Sequence, residues 1–405
     1  MSYNVDEIRS NFPILSTEIN GNPLVYFDNG ASAQKPQVVI DAILRGYQNE
    51  YANVHRGLHT LSGIATERYE GTRKIVADFL NVDERNVVFT TGSTEGLNLV
   101  SYSWGASQLK AGDEIILSVA EHHGNIIPWH FLRERIGITL KWVDVDDDGS
   151  LPAQRVIDAI GANTKLVAIS QMSNVTGVPV DVKTIAEFAR GRNIRVLIDG
   201  SQAAVHAPVD VADLGVDFYV ITGHKLYGPT GSGAVYVSDE AYLEMRPFMG
   251  GGDMISTVEQ DRITYAEPPM RFEAGTPGIV ETIGLGVALS YLQDVGMDKV
   301  AAHEAELSQY CHEALKDLNF VRILGDSENK KSIFTIDIPG VHAHDISTIV
   351  DQKGVAIRAG THCAQPLMER FGVTSSVRAS LGMYNTKGEV DAFIDALKFA
   401  YRLLG

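Results

Sequence analysis

The stretch Ile194-Arg195-Val196-Leu197-Ile198-Asp199-Gly200-Ser201-Gln202, followed shortly by Asp217-Phe218-Tyr219-Val220-Ile221-Thr222-Gly223-His224-Lys225, decides the fold. Each is a short apolar run that ends abruptly in residues able to do chemistry, an acid in one case and a lysine in the other. Runs unbroken by polar residues fit strands covered on both faces. The same texture recurs outward at Val87–Thr90, Glu114–Val119, Leu140–Asp144 and Leu166–Ser170, with helix-like segments between. This alternation, over about residues 85–240, predicts an α/β fold: a mostly parallel sheet with helices on both faces. Ligands of such sheets collect beyond the carboxyl ends of the strands, where Asp199 and Lys225 stand.

Beyond residue 280 the texture changes. A long helical stretch, Ile279–Leu318, precedes a strand-like Ser332–Ile338, and the chain closes on a helix in which Thr386 and Glu389 form a capping box and Val390, Phe393, Ile394, Leu397 and Tyr401 recur at helical spacing. That stripe reads as core. Two domains are expected for 405 residues: a large α/β domain over 21–280, and a smaller α+β domain over 281–405 together with 1–20. Gly250-Gly251-Gly252 is the most loop-like spot in the middle of the chain.

Composition excludes several classes. Hydrophobic residues at 44% and charged residues at 21% describe a globular protein. With 34 Lys and Arg against 51 Asp and Glu, the formal charge of −17 opposes binding to nucleic acid or anionic lipid. Two cysteines, Cys311 and Cys363, make no disulfide framework and point to a reducing, cytoplasmic setting. Met1–Pro13 lacks a basic start with an apolar run, and no apolar stretch is long enough for a transmembrane helix.

Three motifs carry candidate chemistry. Thr91-Gly92-Ser93-Thr94-Glu95-Gly96 follows an apolar strand and precedes a helix-like Leu97–Tyr102, a placement in which free N–H groups and the helix dipole suit a phosphate. An ordinary N-cap is the alternative. Asp199 ends a buried strand and needs a cationic partner, with Gln202 one turn further on; capping the next helix is the alternative. Lys225 leaves a strand into a Gly-rich turn, where desolvation lowers its pKa and frees the amine for Schiff-base chemistry. A solvated loop lysine is the competing reading. Taken together, the three suit the phosphate, the ring nitrogen and the aldehyde of pyridoxal 5′-phosphate (PLP).

On these residues the sequence resembles the fold-type I PLP-dependent enzymes, in the class V aminotransferase group. Further matches are Phe27-Asp28-Asn29-Gly30-Ala31, Glu121-His122-His123-Gly124-Asn125 and Ser173-Asn174-Val175-Thr176-Gly177. Arg358-Ala359-Gly360-Thr361-His362-Cys363-Ala364-Gln365-Pro366 with Ser376-Val377-Arg378-Ala379-Ser380 resembles the SUF-type, group II cysteine desulfurases. The likeness spans about residues 5–403; Gly30 and Thr361 stand where the family usually has Ala and His.

The resemblance implies a role for each matching position. Lys225 would bond the cofactor, Asp199 would pair with its ring nitrogen, His122 would stack on the ring and handle a thiol proton, and Gln202 would reach its phenolic oxygen. Ser93, Thr94, Thr222 and His224 would hold the phosphate, with Thr276 lent by the second subunit of a homodimer. Asn174 and Arg378 would grip the substrate carboxylate, while Ala31, His55, Arg56 and Arg358 would lie near the substrate, His55 and Arg56 coming from the partner. Cys363 would take sulfur from L-cysteine as a persulfide, leaving L-alanine, in the service of iron–sulfur cluster assembly. Selenocysteine cleavage and amino transfer on the same scaffold remain alternatives, as does a non-catalytic sulfur relay.

A nucleophilic thiol must ionise near neutral pH, so Cys363 is expected in a partly exposed, electropositive spot near Arg358 or His362. Little room for a mobile loop exists between Arg358 and Pro366, which implies that a SufE-like acceptor docks to collect the sulfur. No metal site is expected: Gly57 interrupts His55 and His59, and His342 with His344 reads as a helix start. Cys311 reads as filler.

Overall fold

The computed structural model describes residues 3–405. Seven strands build the large sheet: β1 (Val87–Thr90), β2 (Glu114–Ser118), β3 (Thr139–Val143), β4 (Thr164–Ser170), β5 (Arg195–Asp199), β6 (Phe218–Thr222) and β7 (Gly233–Val237). Their spatial order is β1-β7-β6-β5-β4-β2-β3. Alternate side chains of these strands point into two separate cores, Val167, Ile169, Val196 and Ile198 into one, Leu166, Ala168, Leu197 and Val220 into the other. This two-sided burial accounts for strands that read as continuous apolar runs.

All neighbours in this sheet run parallel except β7, which is antiparallel to both β1 and β6. Residues 223–232 are too few for a crossover helix, so the chain turns straight back beside β6. The returning strand lies close against the end of β1: a Cβ on Gly233 would stand 2.7 Å from Gly92 Cα.

The expected single helical stretch from Ile279 to Leu318 is two helices, α1 (Ile279–Val295) and α2 (Met297–Lys316), hinged at Gly296 with φ +92. That conformation is one only glycine adopts cheaply, so the pattern stays helical on either side while the axis changes. Leu285, Leu289 and Leu292 of α1 join the first core of the large sheet, whereas Leu307, Cys311 and Leu315 of α2 face a third core.

That third core belongs to an antiparallel sheet of order β8-β9-β11-β10, made of β8 (Arg322–Leu324), β9 (Ile333–Asp337), β10 (Arg358–Gly360) and β11 (Ser376–Ser380). Helix α3 (Lys387–Leu404) covers it, opening on the Thr386–Glu389 capping box and burying Val390, Phe393, Ile394 and Leu397. Near the start of the chain, Ile8, Phe12 and Leu15 pack into the first core, while Val25 and Phe27 pack into the third. No helix among the described residues is long and apolar enough to cross a membrane.

Candidate active site

A cavity of about 230 Å³ opens where the carboxyl ends of β4, β5 and β6 meet the small-domain sheet. Its wall includes Ser93 and Thr94 from one side, His122, Ser170, Asp199 and Gln202 from the sheet ends, and His224 and Lys225 beyond β6. Gly30, Ala31, Asn174, Arg358, His362, Cys363 and Arg378 complete it. The convergence follows from register: β4, β5 and β6 are adjacent and parallel, with Ser170 opposite Asp199, so their last residues share one edge.

At the Ser93–Val100 helix the N-cap is Gly92, with φ +146 and no capping side chain. Its first-turn amides, including those of Ser93 and Thr94, therefore have no intrahelical acceptor and face the cavity with the positive end of the dipole. Thr222 is buried at the end of β6 and sits against Gly92, where an added Cβ would lie 3.2 Å from Thr222 Oγ1.

Asp199 is 6% exposed, and its Oδ1 accepts the Ser201 N–H at 3.0 Å. Among the described residues no ion pair reaches it, so a buried carboxylate waits for a cation. Burial pushes the Lys225 amine down to about 8, opposed by Asp199 and helped by the Arg378 charge. Burial and the Lys225 charge hold His122 near 4, so its ring is neutral at pH 7. Its Nδ1 accepts the Gly124 N–H at 3.0 Å, which leaves the proton of the neutral ring on Nε2. Gln202 donates Nε2 to the Gly30 carbonyl at 2.9 Å, fixing its amide against the Asp28–Ala31 turn.

The end of the cavity lined by Arg358 and Arg378 is electropositive by arrangement. Asp28 lies between two arginines: Arg358 Nη2 is 3.2 Å from Asp28 Oδ2 and Arg378 Nη2 is 3.6 Å from Asp28 Oδ1. One carboxylate against two guanidiniums leaves a positive charge uncompensated. Arg378 also donates Nη1 to the Asn174 carbonyl at 2.9 Å, while its buried Nε has no partner among the described residues. Burial and the Arg358 charge lower its pKa to about 10, with Asp28 opposing. The role of Asp28 was not read from sequence; an acid directly after the buried Phe27 was the available signal.

Cys363 is exposed at the cavity mouth, whereas Cys311 is fully buried and burial raises its thiol pKa strongly. Both His362 and Cys363 have positive φ, 53° and 55°, in a four-residue link between β10 and the Gln365–Arg370 helix. Two consecutive non-glycine residues in that region are strained. Tertiary bonds hold them: Asn174 Nδ2 donates to the His362 carbonyl at 2.7 Å, and the His123 N–H donates to the Cys363 carbonyl at 2.7 Å. Burial and two arginines push His362 down to about 3, so the positive charge near the thiol comes from Arg358, Arg378 and Lys225 and not from His362.

Thr276 and His55 lie elsewhere, on a second cavity of about 220 Å³ that also contains Tyr69 and Glu273. His55 Nε2 meets Glu70 Oε1 there at 2.7 Å, and Arg56 bonds Asp253. No cluster of three or more metal-ligating side chains occurs among the described residues.

The first cavity fits PLP on its own chemistry. Free helix-start amides suit a phosphate, the uncompensated Asp199 suits a protonated ring nitrogen, and a desolvated Lys225 suits an aldehyde. Ser201 Oγ, buried and without a partner among the described residues, is a further polar group available there.

Comparisons agree with this chemistry. The profile of the Aminotransferase class-V family matches residues 25–393. A cysteine desulfurase of Enterobacter sp. (strain 638) is 45% identical over 407 residues, covering 100% of both chains. A probable cysteine desulfurase of Mycolicibacterium paratuberculosis is 44% identical over 397 residues, of whose length this chain spans 58%. Among solved structures, the cysteine desulfurase CsdA of Escherichia coli in its S-sulfonic acid form superposes with a TM-score of 0.92 at 37% identity, covering 100% of each chain.

Proposed function

The chain belongs to the class-V aminotransferase family, as a PLP-dependent cysteine desulfurase, and we propose that Cys363 takes up the sulfur and yields it to a docking acceptor protein. The observation that carries the assignment of Cys363 is its presence, exposed, in the same cavity as Lys225, Asp199 and Arg378.

When bound, PLP supplies an electron sink that acidifies the Cα of an amino acid and activates its β-substituent. The protein's residues do the rest. Arg378, held by Asp28 and the Asn174 carbonyl, orients the substrate carboxylate, with Arg358 adding charge. Asp199 keeps the ring nitrogen protonated. Lys225 Nζ, its pKa brought near the working pH, anchors the cofactor and moves a proton at the substrate Cα. Cys363 Sγ attacks the substrate sulfur: an S–S bond forms, the substrate Cβ–S bond breaks, and L-cysteine plus a protein thiol become L-alanine plus a protein persulfide. His122, with its proton on Nε2, serves as hydrogen donor at the cavity.

The four-residue link that carries Cys363 is short and pinned at the His362 and Cys363 carbonyls, which supports a thiol that stays in place. A stationary persulfide requires an acceptor that comes to it, which supports the group II, SUF-type reading, a SufE-like partner and a role in iron–sulfur cluster supply. Placement of Thr276 and His55 on a separate cavity of the same chain supports a homodimer in which each subunit completes the other's site. The free, exposed Cys363 supports a cytoplasmic setting.

Mass spectrometry after exposure to L-cysteine tests the reading: one added sulfur on the peptide carrying Cys363, absent in Cys363→Ala, with the yellow colour of bound PLP retained in both. Full alanine release by Cys363→Ala would refute it.

A further inference from the structure

Glu121 stands immediately before His122 and is 1% exposed. Its Oε1 accepts the Ser118 hydroxyl at 2.5 Å, and its Oε2 accepts the Asn125 amide at 2.8 Å and the Ser170 hydroxyl at 2.7 Å. Asn125 is itself fixed, taking the Trp129 indole N–H on Oδ1 at 3.2 Å. The donors come from the end of β2, from the turn after His122 and from the end of β4, so one carboxylate joins three segments at the back of the cavity. Neutral donors alone surround it among the described residues, and burial pushes its pKa up to about 7. A residue serving the core alone would be apolar here, since burying a carboxylate is costly even when its lone pairs are filled.

Ser170 connects this group to the cavity. It lines the cavity, and its register partner on β5 is Asp199. A hydroxyl that gives its only proton to Glu121 can offer the cavity nothing but lone pairs.

We propose that Glu121 is a positioning residue of the desulfurase reaction: it fixes the Ser118–Asn125 turn that carries His122, and it turns the Ser170 proton away so that Ser170 presents an acceptor beside Asp199. This rests on the desulfurase reading and adds to it a residue that touches neither substrate nor cofactor. Carboxylate character is the essential property. A glutamine has the same shape but replaces one acceptor oxygen by a donor, so whichever of Ser118 and Ser170 meets that NH2 must turn its own proton away and the carboxylate's set of three inward donors is broken.

The test compares Glu121→Gln and Ser170→Ala with the parent. Glu121→Gln is expected to lower kcat by about 10- to 100-fold, by analogy with the loss of groups that orient a metal-binding side chain, with KM changing by less than about threefold. Both variants should shift the absorbance maximum of the PLP-loaded protein. In cofactor-free protein labelled with nitrogen-15 at histidine, Glu121→Gln should move the His122 ring signals and Ser170→Ala should leave them in place. Parental kcat, absorbance and His122 signals in Glu121→Gln would overturn the proposal. If Glu121→Gln does not fold, Ser118→Ala replaces it: unlike Ser170, Ser118 belongs to the turn that carries His122, so losing its bond to the carboxylate should also move the His122 signals, and unmoved signals would overturn it equally. Persulfide formation on Cys363 in the parent is scored separately, so a failure of the underlying reading is told apart from a failure of this one.

Discussion

Replacing Lys225 by methionine should make the cofactor-free protein more stable, although it destroys the activity. The amine ordinarily titrates at 10.5 and is held at about 8 in the fold, chiefly by burial. At roughly 1.4 kcal/mol for each tenfold change in proton affinity, keeping it charged at pH 7 costs the folded state about 3 kcal/mol. Methionine fills a similar space without that charge. The sign with pH is fixed by linkage. Below pH 8 the amine is protonated in both states and the full cost is present. Between pH 8 and 10.5 the folded amine is neutral while the unfolded one stays charged, so the parent gains stability as pH rises. By pH 10 the advantage of Lys225→Met should have shrunk to about 1 kcal/mol. Urea denaturation of both cofactor-free proteins from pH 6.5 to 10 measures the gap, and effects of other groups cancel in the difference. Equal midpoints at pH 7, or a gap that widens with pH, would refute the claim that Lys225 is held in a desolvated, cation-rich site.

Arg378→Lys loses the planar fork that spans Asp28, the Asn174 carbonyl and the substrate carboxylate, so KM for L-cysteine should rise by about tenfold or more with a smaller change in kcat; steady-state kinetics with an unchanged KM would contradict that role. Cys363 has φ 55°, where a Cβ costs about 1 kcal/mol. Cys363→Gly should therefore exceed Cys363→Ala in denaturation midpoint, and parity would show that the link relaxes freely. Gly200→Ala puts a Cβ 2.3 Å from the ring of fully buried Tyr219 and should destabilise the protein by about 2 kcal/mol or more, read as a lowered Tm.

The strands were legible because a sheet covered on both faces leaves few choices: Val87–Thr90 spans the same four residues in sequence pattern and structure, and the other runs differ at their ends. Once β4, β5 and β6 are parallel neighbours, Ser170, Asp199 and Thr222 must emerge together, so topology delivered the acid and the lysine to one place. Other features depend on distant segments meeting. Asp28 acquires meaning only when Arg358 and Arg378 close on it from more than three hundred residues away. Glu121 stood in a matching motif with no role of its own, since Ser118 and Asn125 are local but Ser170 is supplied by another strand. The left-handed pair His362-Cys363 carries no glycine to announce it, because bonds from Asn174 and His123 impose it. Gly296 was visible, but glycine within a helical pattern is often tolerated, and only the departure of α2 beyond Val300 from the core of α1 into another made it a hinge.

The same reasoning explains how two domains keep an amine, a carboxylate and a thiol in register. The large domain's segment Asn174–Gly177 is the common contact: Arg378 donates to the Asn174 carbonyl, Thr335 Oγ1 donates to the Val175 carbonyl at 2.6 Å, Lys330 donates to the Thr176 carbonyl, and the Lys331 N–H donates to the Gly177 carbonyl at 2.9 Å. Four consecutive carbonyls are thus taken by donors from the small domain, which spends the buried Lys330, its pKa lowered by burial to about 7, on this task. A Cβ at Gly177 would come within 2.7 Å of the Lys331 carbonyl, so the two segments meet as closely as backbone allows. Asn174 itself reaches back to the His362 carbonyl. The loop that joins the domains is therefore the loop that seats Cys363, and any loosening of the seam must be felt as misplacement of Cys363 relative to Lys225; for the proposed reaction an error of about 1 Å can cost a hundredfold in rate.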